Sequence, residues 1–124
     1  MQDSHKKNIL VVEDDSDIRS LLKTALLMEG YEVETAVNGQ DAWDSLHSKE
    51  EKPHAIVLDL MMPVMDGWRF LELQAQSSMI KNIPILIVSA TSEQRIPEPS
   101  QNQAVLRKPI DLTEFLSCIE QLSK

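Results

Sequence analysis

The sequence predicts an α/β domain, a doubly wound parallel sheet with helices on both faces, and three observations carry that expectation. Short apolar runs alternate with amphipathic helical patterns in the order β-α-β-α-β-α-β-(irregular)-β-α. Two of the runs, Asn8–Val12 (NILVV) and Pro84–Ser89 (PILIVS), are apolar at every second residue on both faces, as strands covered on both sides must be. Charged or hydroxyl residues follow the runs directly. Strands that alternate with helices are joined by right-handed crossovers, and a site in such a sheet lies beyond the carboxyl ends of its strands.

Met1 to Lys7 read as a polar tail, and residues 8–124 as one domain. The first strand, Asn8–Val12, ends in the acids Glu13-Asp14-Asp15. Asp15 or Ser16 can cap the helix that carries Ile18, Leu21, Leu22, Ala25 and Leu26 at helical spacing. Gly30 stops it in a left-handed cap. Tyr31–Ala36 alternates and gives a second, more exposed strand, and Asn38-Gly39 is a turn signal. Gln40–Ser48 form a short helix with Ala42, Trp43 and Leu46 inward, and KEEKP (Lys49–Pro53) is a charged loop.

Ala55–Asp59 is the third strand. It runs into a carboxylate and then into Pro63 and Gly67, so the chain turns and presents Asp59 at the sheet edge. A helix follows from Gly67 to about Gln76, with Phe70 and Leu71 inward. After the fourth strand, Ala90–Gln103 holds two prolines among polar residues, which opposes a regular helix. Ala104–Leu106 give a short fifth strand, and Leu112, Phe115, Leu116, Ile119 and Leu122 a final amphipathic helix.

The chain has 124 residues, enough for one core and too few for two ordinary domains. Its net charge of −8 opposes binding to a nucleic-acid backbone or to an anionic membrane surface, both of which need clustered cations. The single cysteine, Cys118, excludes an internal disulfide and a cysteine metal cluster, and its setting is that of a core filler. No apolar run approaches a membrane span, and MQDSHKKN lacks the apolar stretch of a secretion signal, so the expected compartment is the cytoplasm. His5, His47 and His54 lack ligand spacing and are expected at the surface or in loops, while Trp43 and Trp68 are expected to serve packing.

The strand ends bring together Glu13 and Asp14 after the first strand, Asp59 after the third, Ser89 after the fourth and Lys108 after the fifth. Three carboxylates in one place either take up protons or hold a cation. Oxygen ligands without His or Cys favour a hard divalent ion such as Mg2+. A divalent cation, an ammonium and a hydroxyl around one carboxylate resemble the equipment for stabilising a transferring phosphoryl group, with Asp59 as nucleophile. Taken singly, each element also has a plain reading: an acidic helix cap, a turn hydroxyl, a surface lysine.

With NILVVEDD, VLDLMMPVMDG, IPILIVSA and RKP in this order, the chain from Asn8 to about Leu122 resembles the response-regulator receiver domains of two-component signalling. The resemblance implies a flavodoxin-like, chemotaxis-regulator-like sheet in the strand order 2-1-3-4-5. It implies that Asp59 accepts a phosphoryl group from the phosphohistidine of a sensor histidine kinase or a histidine phosphotransfer protein, followed by slow hydrolysis. Asp14 and Asp59 would bind Mg2+, with Glu13 assisting through water and the Met61 backbone carbonyl completing the protein's share of the shell. The Ser89 hydroxyl and the Lys108 ammonium would bond the phosphoryl group. The Lys108–Pro109 bond is expected cis, as in the family. The side chains of Met61, Met62 and Met65 are expected in the core.

Two positions depart from the family. Val105 stands where an aromatic ring usually rotates, and the segment with Pro97 and Pro99 stands where the family has its fourth helix, here expected short, distorted or absent. The expected function is a phosphorylatable signalling module that acts through protein contacts and is not an enzyme on a separate substrate. The rival is a receiver-like binding module whose switching does not depend on phosphate. A Mg2+-dependent phosphatase of related topology would need an acid where Met61 stands.

Overall fold

The computed structural model describes residues 6–62, 64–90, 98–100 and 102–124. Its strands are β1 (Asn8–Val12), β2 (Glu32–Ala36), β3 (Ala55–Asp59), β4 (Ile85–Ser89) and β5 (Gln103–Arg107). They form one sheet in the order β2-β1-β3-β4-β5, with every neighbouring pair parallel. The helices are α1 (Ser16–Met28), α2 (Gly39–Ser48), α3 (Gly67–Gln76) and α4 (Leu112–Leu122). Architecture and strand order are those expected. The expectation for the segment between β4 and β5 falls mostly on 91–97, outside the described residues; among the described residues no helix lies between those strands.

Alternate residues of the strands feed two separate cores, which is the period-2 pattern made physical. Leu10 and Val12 of β1 pack with Ala42 and Leu46 of α2 and Phe70 of α3. Ile9 and Val11 pack on the other face with Leu22 and Leu26 of α1 and Phe115 and Ile119 of α4. β3 and β4 are buried along their whole length, and β2 is a half-exposed edge. Trp43, Trp68 and Leu71 lie partly buried against the first core, as does Val105. Cys118 is half-buried at the rim of the second, not a full core position, and its thiol is pushed up by burial and by the charge of Glu114.

The helix ends explain several turns. Gly30 takes φ +94°, and the N–H groups of Gly30 and Tyr31 donate to the carbonyls of Leu27 and Leu26, closing α1. Asn38-Gly39 is not a free turn. Asn38 caps α2, its side chain accepting from the Asp41 N–H at 2.8 Å, while the Gly39 N–H donates to the Met65 carbonyl. Lys7, placed with the tail by its polarity, is bonded: its carbonyl accepts from the Glu32 N–H and its ammonium donates to the Ser123 carbonyl at 2.7 Å. His47 lies half-buried inside α2 with its ring against Trp43, and His54 is exposed, its Nδ1 accepting from the Asn8 N–H. His5 lies outside the described residues.

Val64, between β3 and α3, sits at φ +69° with its side chain 84% exposed. A β-branched residue there is strained and gains nothing from burial. Val64→Gly is therefore expected to stabilise the domain by about 1 kcal/mol, read from the urea midpoint at constant slope.

Candidate functional site

The chain winds outward from β1 to β2, then restarts on the other side of β1 with β3, so the crevice between the ends of β1 and β3 is the switch point of the sheet. Glu13 and Asp14 leave β1 there, and Asp59 ends β3. One carboxylate oxygen from each of the three lies within 4.8 Å of the others. The acidic triplet divides its work. Asp15 is the cap of α1, its side chain accepting from the N–H groups of Asp17 and Ile18 at 2.9 and 3.0 Å. Glu13 and Asp14 serve the crevice, so the plain reading as a helix cap holds for Asp15 alone.

Lys108 reaches the crevice from the residue after β5. Its ammonium lies 3.5 Å from Asp59 Oδ2 and 3.5 Å from Glu13 Oε1. Its backbone N–H donates to the Ser89 carbonyl at 2.7 Å, which ties the ends of β4 and β5 together. The Lys108–Pro109 bond is cis. Ser89 is fully buried at the end of β4, and its hydroxyl donates to the Ala90 carbonyl at 3.3 Å. The Met61 N–H donates to Asp59 Oδ1 at 3.2 Å, so the backbone just after Asp59 folds over its carboxylate. The Met61 side chain is 58% exposed, against the expectation that it fills the core. The chain turns back at Met61 to bond Asp59, and that turn sends its side chain outward. Met62 is buried and Met65 packs against the core, as expected.

Two side chains of the cluster, Glu13 and Asp59, are nearly closed off from water. Burial first, and then the charge of Asp59, push the Glu13 carboxyl up to about 7, with Lys108 pulling the other way. Among the described residues, the one lysine at the cluster does not balance two buried acids and a third beside them. An all-oxygen donor set with this unbalanced charge fits a hard divalent cation such as Mg2+, with Glu13, Asp14 and Asp59 as the side chains that would hold it.

Arg19, which belongs to none of the motifs, is also tied to this loop. Its Nη1 donates to the carbonyls of Glu13 and Asp14 at 2.9 and 3.2 Å. The available signal is its place one turn into the helix that follows the acids, since helical side chains lean back toward the N-terminus.

The family model of the response regulator receiver domain matches residues 9–120. The transcriptional regulatory protein PrrA of Mycobacterium tuberculosis is 43% identical over 84 residues, 68% of this chain and 34% of PrrA. The chain thus spans about a third of the length of that relative. Among solved structures, the chemotaxis protein CheY4 of Vibrio cholerae matches with a TM-score of 0.78 and 27% identity over 95% of this chain and 99% of that one. The receiver domain of the hybrid histidine kinase CckA matches with a TM-score of 0.79 and 26% identity over 94% and 99%.

Proposed function

Because the chain belongs to the response regulator receiver-domain family, a family of two-component signalling modules, we propose that its site accepts a phosphoryl group on Asp59 from a phosphohistidine. The observation that carries the reading is the set of charges on one carboxylate: Asp59 between Lys108 at 3.5 Å and the acids Glu13 and Asp14.

The work divides as follows. A carboxylate oxygen of Asp59 attacks the phosphorus as the phosphorus–nitrogen bond of the donor breaks and its electron pair stays on the imidazole. Asp59 is held for attack through Oδ1 by the Met61 N–H, which fixes the plane of the carboxylate. Lys108 supplies a fixed positive charge for an oxygen of the transferred group, and on phosphorylation gives up its direct contact with Asp59. Ser89 turns its hydroxyl from the Ala90 carbonyl to the phosphoryl group, and that exchange is the first step of the readout. When bound by Glu13, Asp14, Asp59 and the Met61 carbonyl, Mg2+ would neutralise charge on the phosphoryl oxygens.

The proposal includes a sensor histidine kinase or a histidine phosphotransfer protein as donor, a cytoplasmic location and output through protein contacts. The domain spans 8–124. Among the described residues no helix is long and apolar enough to cross a membrane. Val105 lies half-buried against the α2/α3 core and has no ring to rotate, so the proposed readout lacks the aromatic half that the family usually has there.

Incubation with acetyl phosphate and Mg2+, read by intact mass, tests the proposal. One phosphoryl group is expected on the parent and none on Asp59→Asn, with chelation of the metal suppressing the gain. A parent that gains no mass from acetyl phosphate or from a histidine kinase overturns it.

A further inference from the structure

Arg19 closes a pattern that the site residues alone leave unexplained. The backbone carbonyls of Glu13, Asp14 and Asp15 all accept from this one residue. Its Nη1 takes the first two at 2.9 and 3.2 Å, and its backbone N–H takes the third at 2.9 Å. The third bond is ordinary helix geometry; the first two are not. Carbonyls ahead of a helix have no intrahelical donor, and Glu13 is buried, so its carbonyl needs a partner from elsewhere.

A guanidinium suits the task. It is charged at every accessible pH, and its donors lie in a rigid plane. Fixing consecutive carbonyls fixes the peptide planes between them, and those planes set the directions in which the Glu13 and Asp14 side chains leave the chain. The loop between β1 and α1 holds no glycine or proline to stiffen or relax it, so its shape depends on such bonds. Two more belong to the same set: the Glu13 Oε2 acceptance from the Asp15 N–H and the cap made by Asp15.

We propose that Arg19 is a positioning residue for the cation site, holding the backbone of Glu13 and Asp14 so that their carboxylates meet Asp59 ready to bind a divalent ion. It touches neither the ion nor the phosphoryl group. The inference rests on the functional reading above only in taking the acid cluster as a Mg2+ site.

The test compares the parent with Arg19→Met, which keeps the aliphatic stem and removes the donors, and with Arg19→Lys, which keeps a charged donor. Mg2+ titrations are followed by backbone amide NMR of the whole chain without any phosphodonor. Loss of a group that orients metal ligands typically costs 10–100-fold in affinity. The Mg2+ half-saturation of Arg19→Met is expected to rise about tenfold and that of Arg19→Lys to return part of the way. Acetyl-phosphate labelling at saturating Mg2+ is expected to stay within about threefold of the parent, since the ion itself then orders the loop. Urea unfolding in parallel separates this from lost stability, because a folded protein with merely lower stability binds Mg2+ with unchanged half-saturation well below its transition. Equal half-saturation in the parent and Arg19→Met overturns the inference, whether or not Asp59 is phosphorylated. Failure of labelling in a parent that binds Mg2+, with the Arg19→Met shift present, overturns the phosphoryl reading and leaves the positioning role standing.

Discussion

Gly67→Ala is expected to destabilise the domain by about 2–4 kcal/mol and to slow phosphorylation of Asp59 by at least about tenfold. Gly67 is the first residue of α3, directly after its cap Asp66. Its N–H donates to the Leu60 carbonyl at 2.9 Å, so the start of the helix lies against the end of β3. A Cβ there would stand 2.7 Å from the Asp59 carbonyl oxygen and 2.7 Å from Leu60 Cα. Both are backbone atoms, one of the last residue of β3, the proposed phosphoacceptor, and one of the residue after it, so no side chain can swing away to make room. Alanine's better helix propensity returns about 1 kcal/mol, less than the overlap costs. Relief requires β3 and α3 to separate, and that moves Asp59 relative to Lys108. Gly30→Ala is the control. Gly30 has open space around it and only its φ of +94° to lose, so its cost is about 1 kcal/mol with labelling unchanged. Urea unfolding and the initial rate of acetyl-phosphate labelling measure both effects. Parent-like stability in Gly67→Ala would show that α3 can move off β3 freely.

Gly67 also marks a boundary between what the residues disclose and what only the fold does. Pro63 and Gly67 read as turn formers, which they need only be for Asp59 to be presented. The demand for a missing side chain comes from a helix seated on a strand, and nothing local encodes that distance. The elements were legible because strands buried on both faces have no polar alternation to confuse them, as with Asn8–Val12 and Ile85–Ser89. The acids, Ser89 and Lys108 were legible because a parallel sheet gathers everything that follows its strands at one edge. Met61 was misread because an apolar side chain suggests burial, while its backbone had a prior claim in the bond to Asp59. Gln74 runs the other way. It is a polar residue in a helix, yet it is buried and its amide donates to the carbonyls of Ile80 and Ile83, fastening the loop before β4. Asn38 and Arg19 belong to the same class, polar groups whose worth depends on backbone partners that pattern alone does not locate.

Glu13 gives the domain a stability that falls as pH rises, the reverse of an ordinary paired carboxylate. Its carboxyl is raised from 4.5 to about 7 by burial and by the charge of Asp59. Between those values the folded state holds a proton that the unfolded chain has released, so the slope of unfolding free energy against pH is negative. The contribution is fully present below the unfolded value and is lost as pH passes through about 7. In the presence of a chelator, the parent is therefore expected to lose on the order of 2–3 kcal/mol from this group between mildly acidic and mildly alkaline pH. Glu13→Gln, which keeps an oxygen for the Asp15 N–H and carries no charge, is expected to remove most of that slope and to be the more stable protein at alkaline pH. Metal reverses the sign. Carboxylate ligands bind cations deprotonated, so at the proposed site Mg2+ binding is expected to displace the Glu13 proton and to tighten as pH rises through about 7. Added Mg2+ should then stabilise the parent more at alkaline than at acidic pH, and Glu13→Gln less at both. Urea midpoints at several pH values, with chelator and with Mg2+, decide it. A parent whose chelated stability is flat across the range, or parallel to that of Glu13→Gln, would place the proton elsewhere. The expected consequence is that, among the described residues and without a bound cation, the ionised cluster holds more buried acid than Lys108 balances, which favours the uptake of a proton below neutral pH and of the proposed cation above it.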